Sequence, residues 1–206
     1  MMYSNCGDID ELRRIIEEKT KELSREIVRV KEVGTTSPHG IYIYDAKNDE
    51  WALVQRDGDY FKPFMNGFYV IYFDNTKCPA CRKYDKDWFP YIREEGRKLP
   101  GYCFVIILCE WFAGMCKSEA ASKSFKHYDI HASPTTLLIY HKDGKNIYQE
   151  KHEGYLTRNE LRTIVGDFCN RALKAERGEK VEPPRRRIED ELIVLLRKLL
   201  ELGGKS

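Results

Sequence analysis

The sequence predicts an α/β fold, a central mixed sheet flanked by helices, and three observations predict it. From Phe68 onward, buried-type runs (FYVIYFD, then CFVIILC) alternate with amphipathic stretches, which implies parallel strands joined by helical crossovers. After Ser133-Pro134-Thr135, the run TLLIYHK, the turn Asp143-Gly144 and the run NIYQEKH read as two strands joined by a tight turn. Thr157, with Glu160 three residues on, then caps a closing helix expected to run to about Ala172. The expected core is therefore a β-α-β half joined to a β-β-α half.

Before this core, Asp8 and Glu11 form a capping-box arrangement, and Ile9, Ile16, Leu23 and Val30 recur every seven residues. The spacing predicts an amphipathic helix over 9–33 that ends at Gly34. The runs IYIYD and EWALVQ flank the turn-rich AKND and predict a β-hairpin. Beyond Ala172 the chain turns polar, and Pro183-Pro184 forbids a continuing helix. Ile188, Leu192, Leu195, Leu199 and Leu202 then step by four and three, predicting a second amphipathic helix over 187–202. The expected organisation is an extension of helix plus hairpin (1–63), the α/β core (64–172), a linker (173–186) and a C-terminal amphipathic helix (187–206).

Composition narrows the function. Thirty-five Lys and Arg against 33 Asp and Glu leave a formal net charge of +2, without the positive excess of a dedicated nucleic-acid binder. The longest apolar stretch, CFVIILC, is far short of the roughly 18 residues that cross a bilayer. The amino terminus has no hydrophobic signal segment, so a cytoplasmic, soluble protein without a membrane span is expected. Charged residues at 33% and only two glutamines, Gln55 and Gln149, form a bias known from hyperthermophiles, so a thermophilic, archaeal source is expected. Intracellular proteins of such organisms carry disulfides.

The seven cysteines are an odd number, so at least one is left over from pairing within the chain. Cys78-Pro79-Ala80-Cys81 lies between a buried strand and a helix start. There the free N–H groups and the helix dipole stabilise a thiolate, and the second sulfur is one turn away. Cys78 is then the exposed nucleophile and Cys81 the resolving thiol, with Lys77 adding positive charge and Pro79 suiting a first helical turn. A zinc site and a chance pair are the rival readings. Zinc needs two further ligands, and Cys103, Cys109, Cys116 and Cys169 supply no second pair at matching spacing. Cys109 and Cys116 could themselves form a disulfide across Ala113-Gly114.

The segments VIYFDNTKCPACRKY, KHYDIHASPTTLLIYHKDGK and EGYLTRNELRTIV, in this order, resemble the thioredoxin-like proteins over roughly residues 64 to 172. The resemblance implies a thioredoxin-like fold and thiol-disulfide oxidoreductase activity on protein disulfides or thiols, without metal or organic cofactor. It also implies an electron donor, such as a thioredoxin reductase-like enzyme. Carried onto this chain, Pro134 is the cis-proline, the Ser133 backbone pairs with a substrate peptide, and Gly154 belongs to the substrate groove. Three departures mark the chain: Lys77 replaces the family's tryptophan, Pro79-Ala80 replaces Gly-Pro, and Tyr72 stands where the family buries an aspartate. Each of Asp74 and Glu110 reads as an exposed strand-end carboxylate, the alternative being a substitute proton acceptor that acts through water. The alternative function is a scaffold whose terminal helices dock a partner or a second copy, the 187–202 helix being the candidate for self-association.

Overall fold

The computed structural model describes Arg14 and residues 28–184. The expected 187–202 helix, and the expected 9–33 helix apart from Arg14 and its last turns, lie outside the described residues. Among these there is one seven-stranded sheet. In chain order its strands are β1 (Arg29–Val30), β2 (Gly40–Asp45), β3 (Glu50–Gln55), β4 (Gly67–Asn75), β5 (Tyr102–Cys109), β6 (Thr135–Lys142) and β7 (Lys145–Glu153). Across the sheet they run β1-β3-β2-β5-β4-β6-β7, and only β4 and β5 pair in parallel. Helix α1 (Pro79–Glu94) makes the crossover between those two, and α2 (Glu119–His127) connects β5 to β6. The chain closes with α3 (Arg158–Gly166) and α4 (Phe168–Glu176). This mixed sheet with helices flanking a central parallel pair is the α/β thioredoxin-like fold. No described helix is long and apolar enough to cross a membrane.

Side-chain parity explains the two cores. Successive residues of a strand face opposite sides, and in β4 all nine are buried. Phe68, Val70 and Tyr72 enter one cluster with Trp88 of α1 and Ile164 of α3, while Tyr69, Ile71 and Phe73 enter the other with Phe125 of α2. Strand β5 repeats the division, with Phe104 and Ile106 on the first side and Val105 and Ile107 on the second. Strands covered on both faces read as continuous apolar runs, which is how they stood out in the sequence.

The expected hairpin is present as β2 and β3. It is continuous with the core, because β2 pairs antiparallel with β5, Tyr42 opposite Ile106. The sheet therefore runs across residue 63.

Two helix expectations need correction. The helix predicted over 9–33 does not extend to Gly34, because Arg29–Val30 is a strand on the edge of β3. Leu53 N–H donates to the Val28 carbonyl at 2.9 Å, and β-branched Val28 and Val30 suit the extended backbone. An open strand edge thus satisfies backbone groups that the helix pattern had assigned elsewhere. The closing helix is two helices, because the Tyr102 hydroxyl inserts at the break. It accepts from Cys169 N–H and donates to the Val165 carbonyl, both at 2.9 Å, so it stands between two groups four residues apart that a continuous helix would bond directly. The second part runs past Ala172 to Glu176, which accepts from the Tyr140 hydroxyl and pairs with Lys142.

Candidate active site

Cys78 is the N-cap of α1 and Pro79 its first residue, so the proline's missing N–H falls where no helical bond is made. The Cys78 sulfur accepts from Cys81 N–H at 3.3 Å, which aims it into the first turn of the helix. Its S–H donates to the Ser133 carbonyl at 3.4 Å. Both cysteines are thiols. Cys78 was expected to be exposed but is only 4% accessible, and Cys81 is fully buried. The loop before β6 packs onto Cys78, while Lys77, Pro79 and Ala80 around it are exposed.

That loop carries a cis Ser133–Pro134 peptide bond. Gly154, at φ 84°, lies beside it, and its N–H donates to the Pro134 carbonyl at 2.7 Å. A positive φ here favours glycine. Ser133, Pro134 and Gly154, 21 residues apart at the ends, are thus brought to one place beside Cys78 by the pairing of β6 with β7.

The two carboxylates proposed as proton acceptors part company. Asp74 is wholly buried, against the reading of an exposed strand end. Parity accounts for this: two residues after Tyr72, it faces α1 as Tyr72 does, and it lies beside the Cys81 thiol. Its Oδ1 pairs with Arg82, whose other terminal nitrogen meets Asp85 at 3.0 Å. The Tyr72 hydroxyl donates to Asp85 at 3.1 Å. Burial raises the Asp74 pKa and Arg82 opposes the shift. Burial, and then the neighbouring Asp74 charge, push Asp85 up to about 7 and the Cys81 thiol well above its ordinary range. Glu110 instead sits at the edge of the site, paired with Lys77, which keeps its carboxylate below the usual range. The Lys77 ammonium is therefore engaged by Glu110.

Cys109 and Cys116 form a disulfide, with Cα atoms 4.7 Å apart. It closes a loop whose Phe112 N–H donates to Asn75 Oδ1 at 2.7 Å. Asn75, Arg82 and Asp85 were not singled out from the sequence. The available signal was their spacing: Arg82 and Asp85 follow Cys78 by four and seven, positions on one helical face.

No family model matches the chain, and neither does any curated protein. Solved structures are similar to parts of it. A thioredoxin from Aeropyrum pernix is 13% identical over 65% of this chain and 98% of that one, with a TM-score of 0.42. Chloroplastic thioredoxin z is 18% identical over 51% and 80%, at a TM-score of 0.37. Thioredoxin-2 of the malaria parasite is 15% identical over 55% and 97%, at 0.36.

Proposed function

We propose that the protein is a thiol-disulfide oxidoreductase acting on protein disulfides through Cys78 and Cys81. The observation that carries this reading is the pairing of a helix-capping Cys78 thiol with a buried Cys81, whose neighbour is an equally buried Asp74. A packed pair of inert cysteines has no use for an ionisable group placed beside the inner sulfur at the desolvation cost of a buried carboxylate.

The steps balance as follows. Cys78 gives up its S–H proton to solvent, and the resulting thiolate attacks one sulfur of the substrate disulfide, forming a mixed disulfide and expelling the other sulfur as a thiolate. Cys81 passes its proton to Asp74 and attacks Cys78 Sγ. The Cys78–Cys81 disulfide forms, the second substrate thiolate leaves, and two electrons have moved from the dithiol to the substrate. Burial keeps Cys81 protonated until this moment, and Asp74, whose pKa burial raises, is the carboxylate placed beside it to take the proton. The exposed rim of Lys77, Pro79 and Ala80, with the Ser133 backbone and Gly154 opposite, is where an extended substrate chain would lie.

Reduction of insulin disulfides with a dithiol donor tests the reading. Wild type accelerates precipitation of the free B chain, and Cys78→Ser abolishes the acceleration. Equal rates for the two proteins would refute a role for the pair.

A further inference from the structure

We propose that Asn75 is a positioning residue for the resolving thiol: its amide, anchored by the disulfide-closed loop, turns the Ser133 hydroxyl so that it donates to Cys81 Sγ. The inference rests on the dithiol reading above and adds a group that acts on its second step.

The direction of each hydrogen bond follows from the groups involved. A backbone N–H only donates, so at 2.7 Å from Phe112 N the Asn75 side chain presents its oxygen. The amide nitrogen is thereby turned to the Ser133 hydroxyl, also 2.7 Å away. An amide N–H₂ only donates, so Ser133 Oγ is the acceptor there, and its single proton is left for another partner. Cys81 Sγ lies 3.0 Å from Ser133 Oγ. Either atom of that contact could donate; with the Cys81 proton directed to Asp74, we assign the donor role to the Ser133 hydroxyl, and the polarity then runs from Phe112 N–H through Asn75 and Ser133 to the Cys81 sulfur. The Asn75 backbone N–H also donates to that sulfur, and the Asn75 carbonyl accepts from Cys78 N–H at 3.0 Å.

A donated hydrogen bond favours an ionised sulfur over a neutral one. Of the other groups around Cys81, Asp74 and Cys78 oppose the ionised sulfur, while the Asn75 backbone N–H favours it as Ser133 does. From β4 come Asp74 and Tyr72, from α1 come Cys78, Arg82 and Asp85, and Arg82 is already shared between the two aspartates. In this setting the Ser133 proton is the side-chain donor that meets the sulfur. Asn75 is fully buried and sits opposite Cys109 in the register of β4 with β5. Its far anchor, Phe112, lies inside the loop closed by the Cys109–Cys116 disulfide.

The resolution step can be read separately with a chromogenic aromatic disulfide, dithiobis-nitrobenzoate. Cys78 attacks it and releases one thionitrobenzoate. Cys81 then attacks Cys78 Sγ and releases a second, in a phase independent of reagent concentration, unlike labelling of any other cysteine. The rate of that phase is followed against pH for wild type, Asn75→Ala, Ser133→Ala, the double variant and Ser133→Thr. Loss of a hydrogen bond to a charged group displaces the profile upward by about one pH unit, which is about a tenfold slower rate at neutral pH. Each alanine variant is expected to show this, the double variant no more than either single one, and Ser133→Thr, which keeps the hydroxyl, a profile close to wild type. An unchanged profile for Asn75→Ala, or displacements that add in the double variant, overturns the inference while leaving the dithiol reading intact. If Asn75→Ala does not fold, the comparison of Ser133→Ala with Ser133→Thr decides, and coincident profiles overturn it. Absence of any reagent-independent phase in wild type defeats the dithiol reading, and the inference with it.

Discussion

At the scale of residues, the site is two carboxylates competing for one cation next to a thiol. Arg82 bridges Asp74 and Asp85, and neither acid can ionise freely while the other is charged. Asp74→Asn removes the acceptor beside Cys81 and should slow the reagent-independent phase at neutral pH by about 10- to 100-fold, general-base catalysis being worth this much or more. Asp85 makes a separate prediction about stability. Its folded pKa is raised to about 7 from 3.8, so the stability it contributes is complete below about pH 4 and is lost as the pH rises through about 7. Thermal denaturation should therefore show Asp85→Asn gaining on wild type between about pH 4 and 7, by on the order of a few kcal/mol. A difference between the two proteins that is flat with pH would contradict the buried, coupled acid. Cys78 and Cys81 were legible in the sequence because they belong to a local pattern, and Pro134 through the family resemblance of the segment around it. Asn75 and Asp85 were not, because what makes them matter is contributed from Phe112, Ser133 and Arg82, and only the folded chain brings those groups to them.

At the scale of elements, most strands and helices declared themselves through local periodicity, and the misreadings occurred where a distant group intervened. The Tyr102 hydroxyl divides the closing helix from 63 residues away, and the edge of β3 captures Arg29–Val30. The capping box of Thr157 and Glu160 is purely local, and it stands as read. The disulfide-closed loop is the element with the clearest energetic consequence. Tying Cys109 to Cys116 restricts the unfolded chain, and for so short a loop Cys109→Ala with Cys116→Ala should cost about 2 kcal/mol. Urea denaturation measures this loss. Peptide mapping of unreduced protein should recover Cys109 and Cys116 in one linked peptide, and alkylation of both without reductant would contradict the pairing.

At the scale of the whole molecule, β2 is the hinge of the domain question. It lies between β3 and β5, with Ile41, Tyr42 and Ile43 buried to within 1%, so it completes both cores. A chain beginning at residue 64 would leave β5 as an open edge and uncover apolar surface on both sides of the sheet. Such a truncation should lose cooperative thermal unfolding, whereas two independently stable units would retain it. The hairpin was readable as a hairpin, but its place in the sheet was not, because pairing between distant strands leaves no mark on local periodicity. All of this architecture converges on one end of β4, where Asp74, Asn75 and Cys78 meet the loop of Ser133 and Pro134. The most direct test of that convergence is trapping. Cys81→Ser, incubated with a protein disulfide, should accumulate a mixed disulfide whose mass and peptide map place the bond at Cys78, released by dithiol. Recovery of Cys78 as an unmodified thiol under conditions where the substrate disulfide is accessible would contradict the account.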